Sequence, residues 1–175
     1  MIIQMDTREQ QGKKDHILSF FEREQIKVVR SKLFVGDWTR LDKQDVCIDT
    51  KQNLGEVYCN LVQQHTRFRD ECLRARQNGI KLVILIEEEP HIKCLDDVCL
   101  WKNPRRKKWY DLDQQHGLGK KLYLKQPAQP PIGSDQLQSI MKTIGERYGI
   151  EWQFTTKAEC GRRIVEILGG YHGAD

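Results

Sequence analysis

The sequence has no long apolar segment. No run approaches the roughly 20 consecutive apolar residues that a membrane-spanning helix requires. The N-terminus also lacks a basic segment followed by an apolar stretch, which is the pattern of a secretory signal peptide. Together the two absences argue against a membrane protein or a secreted protein, and they predict an intracellular, cytoplasmic location.

Closely spaced cysteine pairs are also missing. The six cysteines are scattered along the chain, and several fall at apolar positions of predicted elements. This distribution is typical of reduced thiols in an intracellular protein. A zinc site formed by His91, Cys94, Cys99 and His116 is a weaker interpretation, because the spacings are irregular and no C-x2-C pair occurs.

No internal repeat divides the 175 residues, and this length fits one domain with a hydrophobic core. Apolar residues make up 38% of the chain and charged residues 31%, which predicts a rather polar surface. The net charge of +4 permits binding to nucleic acid but does not establish it.

Apolar periodicity predicts the element order β-α-β-β-β-α-β, then a polar insertion, then α-β-α. A strand at residues 1–5 precedes a helix over 13–24, and strands at 26–30, 33–38 and 46–51 are predicted to form a meander. This order predicts an α/β fold, a three-layer sandwich in which helices flank a mixed central sheet.

The clearest predicted helix covers about residues 54–78, with apolar residues at three- and four-residue spacing. A continuous apolar strand at 81–87 follows, as expected for a sheet buried on both faces. The polar side of the helix forms one predicted stripe of Glu56, Asn60, Gln63 and Arg67.

A basic insertion at about 91–133 separates two predicted core segments, 1–90 and 134–169. It contains the run Arg105-Arg106-Lys107-Lys108, followed by two aromatic residues. We interpret the insertion as an extended loop with room for one hairpin, whose cations and rings form a DNA-binding ridge. A charged loop that covers the edge of the sheet is the alternative.

Two carboxylates and a lysine are predicted to meet at one edge of the sheet. Asp37 ends one predicted strand, and Asp49 and Lys51 lie two residues apart in the next, so they share a face. Carboxylate oxygens suit Mg²⁺ or Mn²⁺, which polarises a phosphoryl oxygen and lowers the pKa of bound water. The lysine would orient that water or stabilise charge on the phosphate. A solvated strand with alternating charges is the plainer interpretation.

Four segments of the chain carry a family resemblance. They are Asp6-Thr7-Arg8-Glu9, Gly36-Asp37-Trp38, Ile48-Asp49-Thr50-Lys51 and Arg67-Phe68-Arg69-Asp70-Glu71. In this order, and on these predicted elements, they resemble the nuclease domain of the XPF family (XPF-type or ERCC-type) of structure-specific endonucleases, a branch of the PD-(D/E)XK superfamily. The resemblance covers about residues 2–88 and, less clearly, 135–168. It implies a restriction-endonuclease-like fold.

The resemblance also implies roles for single residues. The implied catalytic residues are Asp6, Glu9, Asp37, Asp49 and Lys51. The implied ligands of Mg²⁺ or Mn²⁺ are Asp37, Asp49 and Thr50. The implied DNA contacts are Arg8 and Arg67. The composition of the insertion, which the resemblance does not cover, adds Arg105, Arg106, Lys107 and Lys108. For Arg67 a solvated helix face is the alternative, and Glu9 fits equally an ion pair with Arg8 or the start of the next helix.

Three positions depart from the family pattern. Asp49 stands where the family usually has glutamate, which keeps a metal-binding carboxylate on a shorter side chain. Thr50 stands where the family has arginine, so the motif lacks a cation near the scissile phosphate. Gly55 stands where the family has an aspartate, and the neighbouring Glu56 is a candidate substitute. We expect no helix-hairpin-helix module here, so DNA binding would come from the nuclease domain, its insertion or a partner. Such a compact nuclease would suit a phage, a prophage or another mobile element.

The sequence therefore predicts a metal-dependent DNA endonuclease of repair or recombination. A preference for flaps, forks or junctions is implied by the resemblance alone. The predicted partner is branched or duplex DNA, with a homodimer or a heteropartner as a further expectation and no membrane. A non-catalytic DNA-binding scaffold subunit, and a nuclease that acts on RNA or single strands, are the alternatives.

Overall fold

The structure, a computed structural model, describes residues 1–8, 12–116 and 129–169, without the side chains of 112–116. A π-helical turn separates α2 from α3, and a 3₁₀ segment, Leu95–Leu100, precedes α4. The strands are β1 (Ile2–Asp6), β2 (Lys27–Ser31), β3 (Trp38–Arg40), β4 (Val46–Lys51), β5 (Lys81–Glu87) and β6 (Glu151–Thr155). The helices are α1 (Asp15–Arg23), α2 (Leu54–Tyr58), α3 (His65–Gln77), α4 (Pro104–His116), α5 (Ser134–Tyr148) and α6 (Cys160–Ile167).

The strands form one mixed sheet in the order β2-β1-β3-β4-β5-β6. β1 pairs with β2 in parallel and with β3 in antiparallel fashion, and β3 pairs antiparallel with β4. β4, β5 and β6 are parallel. The predicted three-layer α/β fold is confirmed. The predicted meander is wrong, because β1 lies between β2 and β3, and of the three strands predicted to form it only β3 and β4 are joined as a hairpin.

Each face of the sheet has its own hydrophobic core. Leu82, Ile84 and Ile86 of β5 pack with α2, α3 and α5, whereas Val83 and Leu85 pack with α1 and α6. All five side chains are buried, which explains why this strand is a continuous apolar run. We refer to the two sides as the α3 face and the α1 face.

The segment before β3 is not the predicted strand at 33–38. Its residues bend sharply, and β3 begins only at Trp38. Gly36 has a φ of +70°, and a Cβ there would lie 2.9 Å from the carbonyl oxygen of Ile48. Glycine alone tolerates this conformation at such a close approach. The Asp37 N–H consequently donates to the carbonyl of Ile48 in β4 at 2.8 Å.

The long helix predicted at 54–78 is interrupted. The π-helical turn, Cys59–Gln63, follows α2, and the N–H of Gln64 donates to the carbonyl of Cys59 at 2.9 Å. A turn of this width holds one residue more than an α-helical turn, which rotates the next helix by about 100° relative to the predicted spacing. The predicted polar stripe therefore does not run unbroken through both helices.

The basic run of the insertion is helical and not an extended loop. Pro104 is the first residue of α4, a position that requires no N–H donor. The side-chain oxygen of Asn103 accepts the N–H of Arg105 at 3.0 Å, which satisfies another unpaired donor at this helix end. The described part of the insertion contains no hairpin, and residues 117–128 lie outside the described ranges.

The structure contains no disulfide among the six cysteines, all of which it describes. Cys47, Cys72 and Cys160 are buried, whereas Cys94 and Cys99 are exposed. Within the described ranges, no helix has the length and apolar character that crossing a membrane requires.

Candidate active site

A cavity of about 160 Å³ opens on the α3 face, beside the ends of β1 and β4. Because β3 is antiparallel to both strands, the residue that precedes it reaches the same edge. The wall combines carboxylates with cations. It is formed by Asp6, Arg8, Gly36, Asp37, Asp49, Lys51, Asn60, Arg67, Phe68, Glu71 and Arg74.

Asp49 and Lys51 form a buried ion pair in this wall. The Lys51 Nζ lies 2.8 Å from Oδ1 and 2.7 Å from Oδ2 of Asp49. Burial raises the pKa of Asp49 above its ordinary value, Lys51 opposes that rise, and the carboxylates of Asp37 and Glu71 add to it. Burial lowers the pKa of Lys51, but the charges of Asp49 and Asp37 outweigh it and raise that pKa. A further positive charge near Asp49 would therefore stabilise its ionised carboxylate.

Thr50 fixes the position of the Asp37 carboxylate through two hydrogen bonds. Its Oδ2 accepts the Thr50 N–H at 2.8 Å and the Thr50 hydroxyl at 2.6 Å. The Thr50 side chain is buried on the α1 face, where its hydroxyl also accepts the indole N–H of Trp38 at 3.3 Å. The structure thus places the Thr50 side chain outside the cavity, as a support of Asp37.

Lys14 belongs to the same network, and the motifs gave no sign of it. It directly precedes α1 and is 5% exposed. Its Nζ donates to the hydroxyl of Thr50 at 2.6 Å and to the carbonyl of Thr50 at 3.3 Å, and it lies 3.8 Å from Oδ2 of Asp37. A cation from 36 residues earlier in the chain therefore lies beside Thr50, although Lys14 is not among the residues that line the cavity.

Asp6 is fully engaged by its neighbours. It accepts the backbone N–H of Arg8 at 2.6 Å, the Arg8 guanidinium at 2.9 and 2.6 Å, and the N–H of Leu33 at 3.0 Å. Burial opposes ionisation, but these hydrogen bonds hold the pKa of Asp6 below its ordinary value. The contacts direct Arg8, whose side chain is 55% exposed, toward the cavity.

The residues present fit a divalent cation. Among the described residues, Oδ2 of Asp49 is the buried side-chain oxygen that accepts no hydrogen bond, since Lys51 approaches it without suitable geometry. Asp37 and Glu71 line the same cavity. Carboxylate oxygens are the hard ligands that Mg²⁺ and Mn²⁺ prefer.

A sequence model of the ERCC4 domain matches residues 5–166 of the chain. The chain belongs to the ERCC4 domain family. The family assignment implied by the motifs is thereby confirmed. No curated protein sequence matches the chain.

Two solved structures have the fold of this ERCC4 domain. XPF from Aeropyrum pernix matches with a TM-score of 0.60 and 16% sequence identity, over 96% of this chain and 63% of that one. XPF from the same organism in complex with DNA matches with a TM-score of 0.59 and 16% identity, over 95% of this chain and 62% of that one. The chain therefore spans less than two thirds of the length of these proteins.

Helix α3 of the ERCC4 domain contributes two charged cavity residues, Glu71 and Arg74, beyond the predicted site residues. Glu71 accepts the N–H of Gly36 at 3.0 Å, and Arg74 lines the wall beside it. They follow Arg67 by four and seven residues, which is the spacing of one helix face. That spacing was present in the sequence and identifies both residues once Arg67 is placed in the cavity.

Several predicted residues lie elsewhere. Glu56 accepts the N–H of Gln52 at 2.8 Å at the start of α2, and neither it nor Gly55 lines the cavity. Asn60, from the π-helical turn, does line it. Glu9 lies outside the described residues.

The basic run of α4 is also absent from the cavity wall. Arg105 places its guanidinium over the ring of Tyr58, and Arg106 donates to the carbonyl of Pro131 at 3.0 Å. These two arginines contact residues outside α4, and Arg105, Lys107 and Lys108 are exposed.

The zinc interpretation finds no support among the described side chains. His16, Glu87 and Cys160 are the described residues that bring three metal-binding atoms within 4.8 Å of one another. They adjoin the α1 face, and the Nε2 of His16 is hydrogen-bonded to Glu87 at 2.6 Å. His91, Cys94 and Cys99 do not form such a cluster, and the side chain of His116 lies outside the described side chains.

Proposed function

We propose that this ERCC4 domain is a divalent-metal-dependent endonuclease that hydrolyses phosphodiester bonds in DNA. The observation that carries the proposal is the convergence of Asp37, Asp49 and Lys51 in one cavity, where an Asp49 oxygen is buried without a hydrogen bond. A solvated strand face would leave these groups apart and hydrated. Perturbed, buried ionisable groups that meet in a cleft are typical of catalytic sites.

Asp37 and Asp49 would hold Mg²⁺ or Mn²⁺, which supplies Lewis-acid polarisation of the phosphate and a more acidic bound water. Lys51, fixed by Asp49, is the cation placed to stabilise charge on the phosphate or to orient the attacking water. The exposed guanidinium of Arg8 is held by Asp6, so Asp6 acts through Arg8.

Cations of α3 supply the proposed DNA contacts. Arg67 and Arg74 line the same cavity as Asp49 and Lys51, where they can bind phosphates beside the scissile bond. The related XPF structure from Aeropyrum pernix in complex with DNA supports DNA as the substrate. A preference for flaps, forks or junctions and a dimeric or heteromeric assembly are proposed from the family alone. An intracellular location is proposed from the family together with the distribution of the cysteines.

The test is cleavage of a labelled panel containing duplex, flap, fork, four-way-junction and single-stranded DNA, with a single-stranded RNA. Wild type and Asp49→Asn are compared in Mg²⁺, Mn²⁺ and EDTA. We expect metal-dependent cleavage that Asp49→Asn abolishes, with branched DNA cut fastest. Asparagine keeps the size of the side chain and an oxygen acceptor for Lys51, so circular dichroism and the melting temperature should show a folded variant.

The outcomes separate the competing functions. Binding of DNA without cleavage in any metal would identify a non-catalytic scaffold subunit. Faster cleavage of RNA or of unstructured single strands would replace the branched-DNA preference. Cleavage that persists in Asp49→Asn would move the chemistry away from this cavity.

A further inference from the structure

The two oxygens of the Asp37 carboxylate have different surroundings. Oδ2 accepts both the N–H and the hydroxyl of Thr50 and lies 3.8 Å from the Nζ of Lys14. None of the described residues donates a hydrogen bond to Oδ1, while Asp37 itself lines the cavity. One oxygen therefore points into a protein network and the other is available to a ligand.

The direction of the hydrogen bond from Thr50 is fixed by its other partners. An ammonium group and an indole N–H can only donate, so Lys14 and Trp38 take both acceptor positions of the Thr50 hydroxyl. The hydroxyl proton is left to Asp37, 2.6 Å away. The Thr50 hydroxyl thus accepts two hydrogen bonds and donates one, which fixes the hydrogen bond that it donates to Oδ2 of Asp37.

Lys14 also occupies the place that a cation would take behind Asp37. Among the described residues, its Nζ faces the hydroxyl and the carbonyl of Thr50 and Oδ2 of Asp37. Hydroxyl, carbonyl and carboxylate oxygens are a usual ligand set for hard cations. A second divalent ion at Oδ2 would displace these bonds and be repelled by the buried ammonium.

We propose that Lys14 and Thr50 make Asp37 a terminal ligand through Oδ1, so that the cavity takes one divalent ion and not a pair bridged by the two Asp37 oxygens. An aspartate that bridges two ions in this way gives one oxygen to each ion. Here Oδ2 is committed to the protein and Oδ1 alone is offered. Lys14 acts as a positioning residue and tethered cation; the inference rests on the proposed metal-dependent function of the same cavity.

The test counts bound Mn²⁺ by electron paramagnetic resonance in the absence of DNA. For wild type we expect one Mn²⁺ per chain that is absent from Asp49→Asn. Any Mn²⁺ that Asp49→Asn still binds is assigned to other sites and subtracted. In Lys14→Ala we expect a second Mn²⁺ and a spin-coupled signal. Lys14→Arg, which keeps the charge, should still bind one ion.

Two results would overturn the inference. The first is wild type that binds two Mn²⁺ ions, both lost in Asp37→Ala. The second is folded Lys14→Ala that still binds one ion with unchanged affinity. If Lys14→Ala does not fold, Lys14→Met keeps the volume without the charge, and a tightening of Mn²⁺ binding by about tenfold is expected in its place. Two ions with metal-dependent cleavage would overturn this inference alone, whereas one ion without cleavage would overturn the nuclease function alone.

Discussion

The two faces of β4 carry different parts of the proposed site. On the α3 face, Asp49 and Lys51 line an open cavity, while between them Thr50 is buried on the α1 face with Lys14 and Trp38. The first face presents charge to a metal and a phosphate, and the second holds Asp37 from behind. Successive side chains of a strand leave opposite faces of the sheet. Asp49 and Lys51 therefore point to the cavity, while Thr50 points to the opposite face and supports Asp37.

Gly36→Ala should break both faces at once and have the largest effect. A Cβ would lie 2.9 Å from the Ile48 carbonyl at a φ of +70°, so the segment that carries Asp37 must move. We expect a loss of roughly 1–3 kcal/mol in the free energy of unfolding, measured by urea titration, and loss of cleavage. Gly79→Ala is the matched control, since its φ is +65° but its Cβ would meet no atom within 4 Å. Equal behaviour of the two variants would show that the close approach to β4 is unimportant.

Thr50→Val tests the support face alone. The change keeps the shape but removes the hydroxyl between Lys14 and Asp37, so we expect the Mg²⁺ concentration for half-maximal cleavage to rise about tenfold, equivalent to roughly 1.4 kcal/mol. Thr39→Val removes another buried hydroxyl, which donates to the Val46 carbonyl at 2.7 Å outside the network. It should lower the melting temperature without changing the metal requirement. A shift in metal requirement of the same size in both variants would mean that general destabilisation is responsible.

The sequence predicted the cavity face better than the support face. A strand period of two residues was enough to place Asp49 and Lys51 side by side, and the strand–turn–strand pattern brought Asp37 to them. Lys14 had no such signal, because a polar lysine before a helix looks exposed until the fold brings α1 against β4. Its contact with Thr50 joins residues 36 positions apart through the tertiary structure alone.

The errors in topology have equally local causes. The order β1-α1-β2 is a strand–helix–strand unit, which favours parallel pairing of its strands and would have placed β1 beside β2. The strand predicted at 33–38 fails because Gly36 adopts a positive φ, which a run of apolar letters does not reveal. Helical spacing likewise cannot locate the π-helical turn, since every apolar position around it still fits an α-helix.

Arg67→Gln with Arg74→Gln should weaken DNA binding while leaving Mn²⁺ binding intact, because the two guanidiniums line the cavity but contact none of the proposed metal ligands. Each lost phosphate contact should lower the slope of log affinity against log salt by about 0.9. Arg69→Gln is the control from the same helix, since Arg69 pairs with Asp70 at 2.9 Å and lies outside the cavity wall. An Arg69→Gln effect as large as that of the pair would point to the net charge of α3 as the cause.

Lys107→Gln with Lys108→Gln should have the smallest effect. These two lysines are exposed, and the described side chains of α4 contribute nothing to the cavity wall. We expect duplex affinity to fall two- to threefold, with a decrease of up to about 1 in the salt slope and no change in the cleavage rate at saturating DNA. Lys157→Gln, at another exposed lysine, is the control. A salt slope unchanged from wild type would mean that α4 covers the core without tracking DNA, because the neighbouring arginines are already committed to Tyr58 and Pro131.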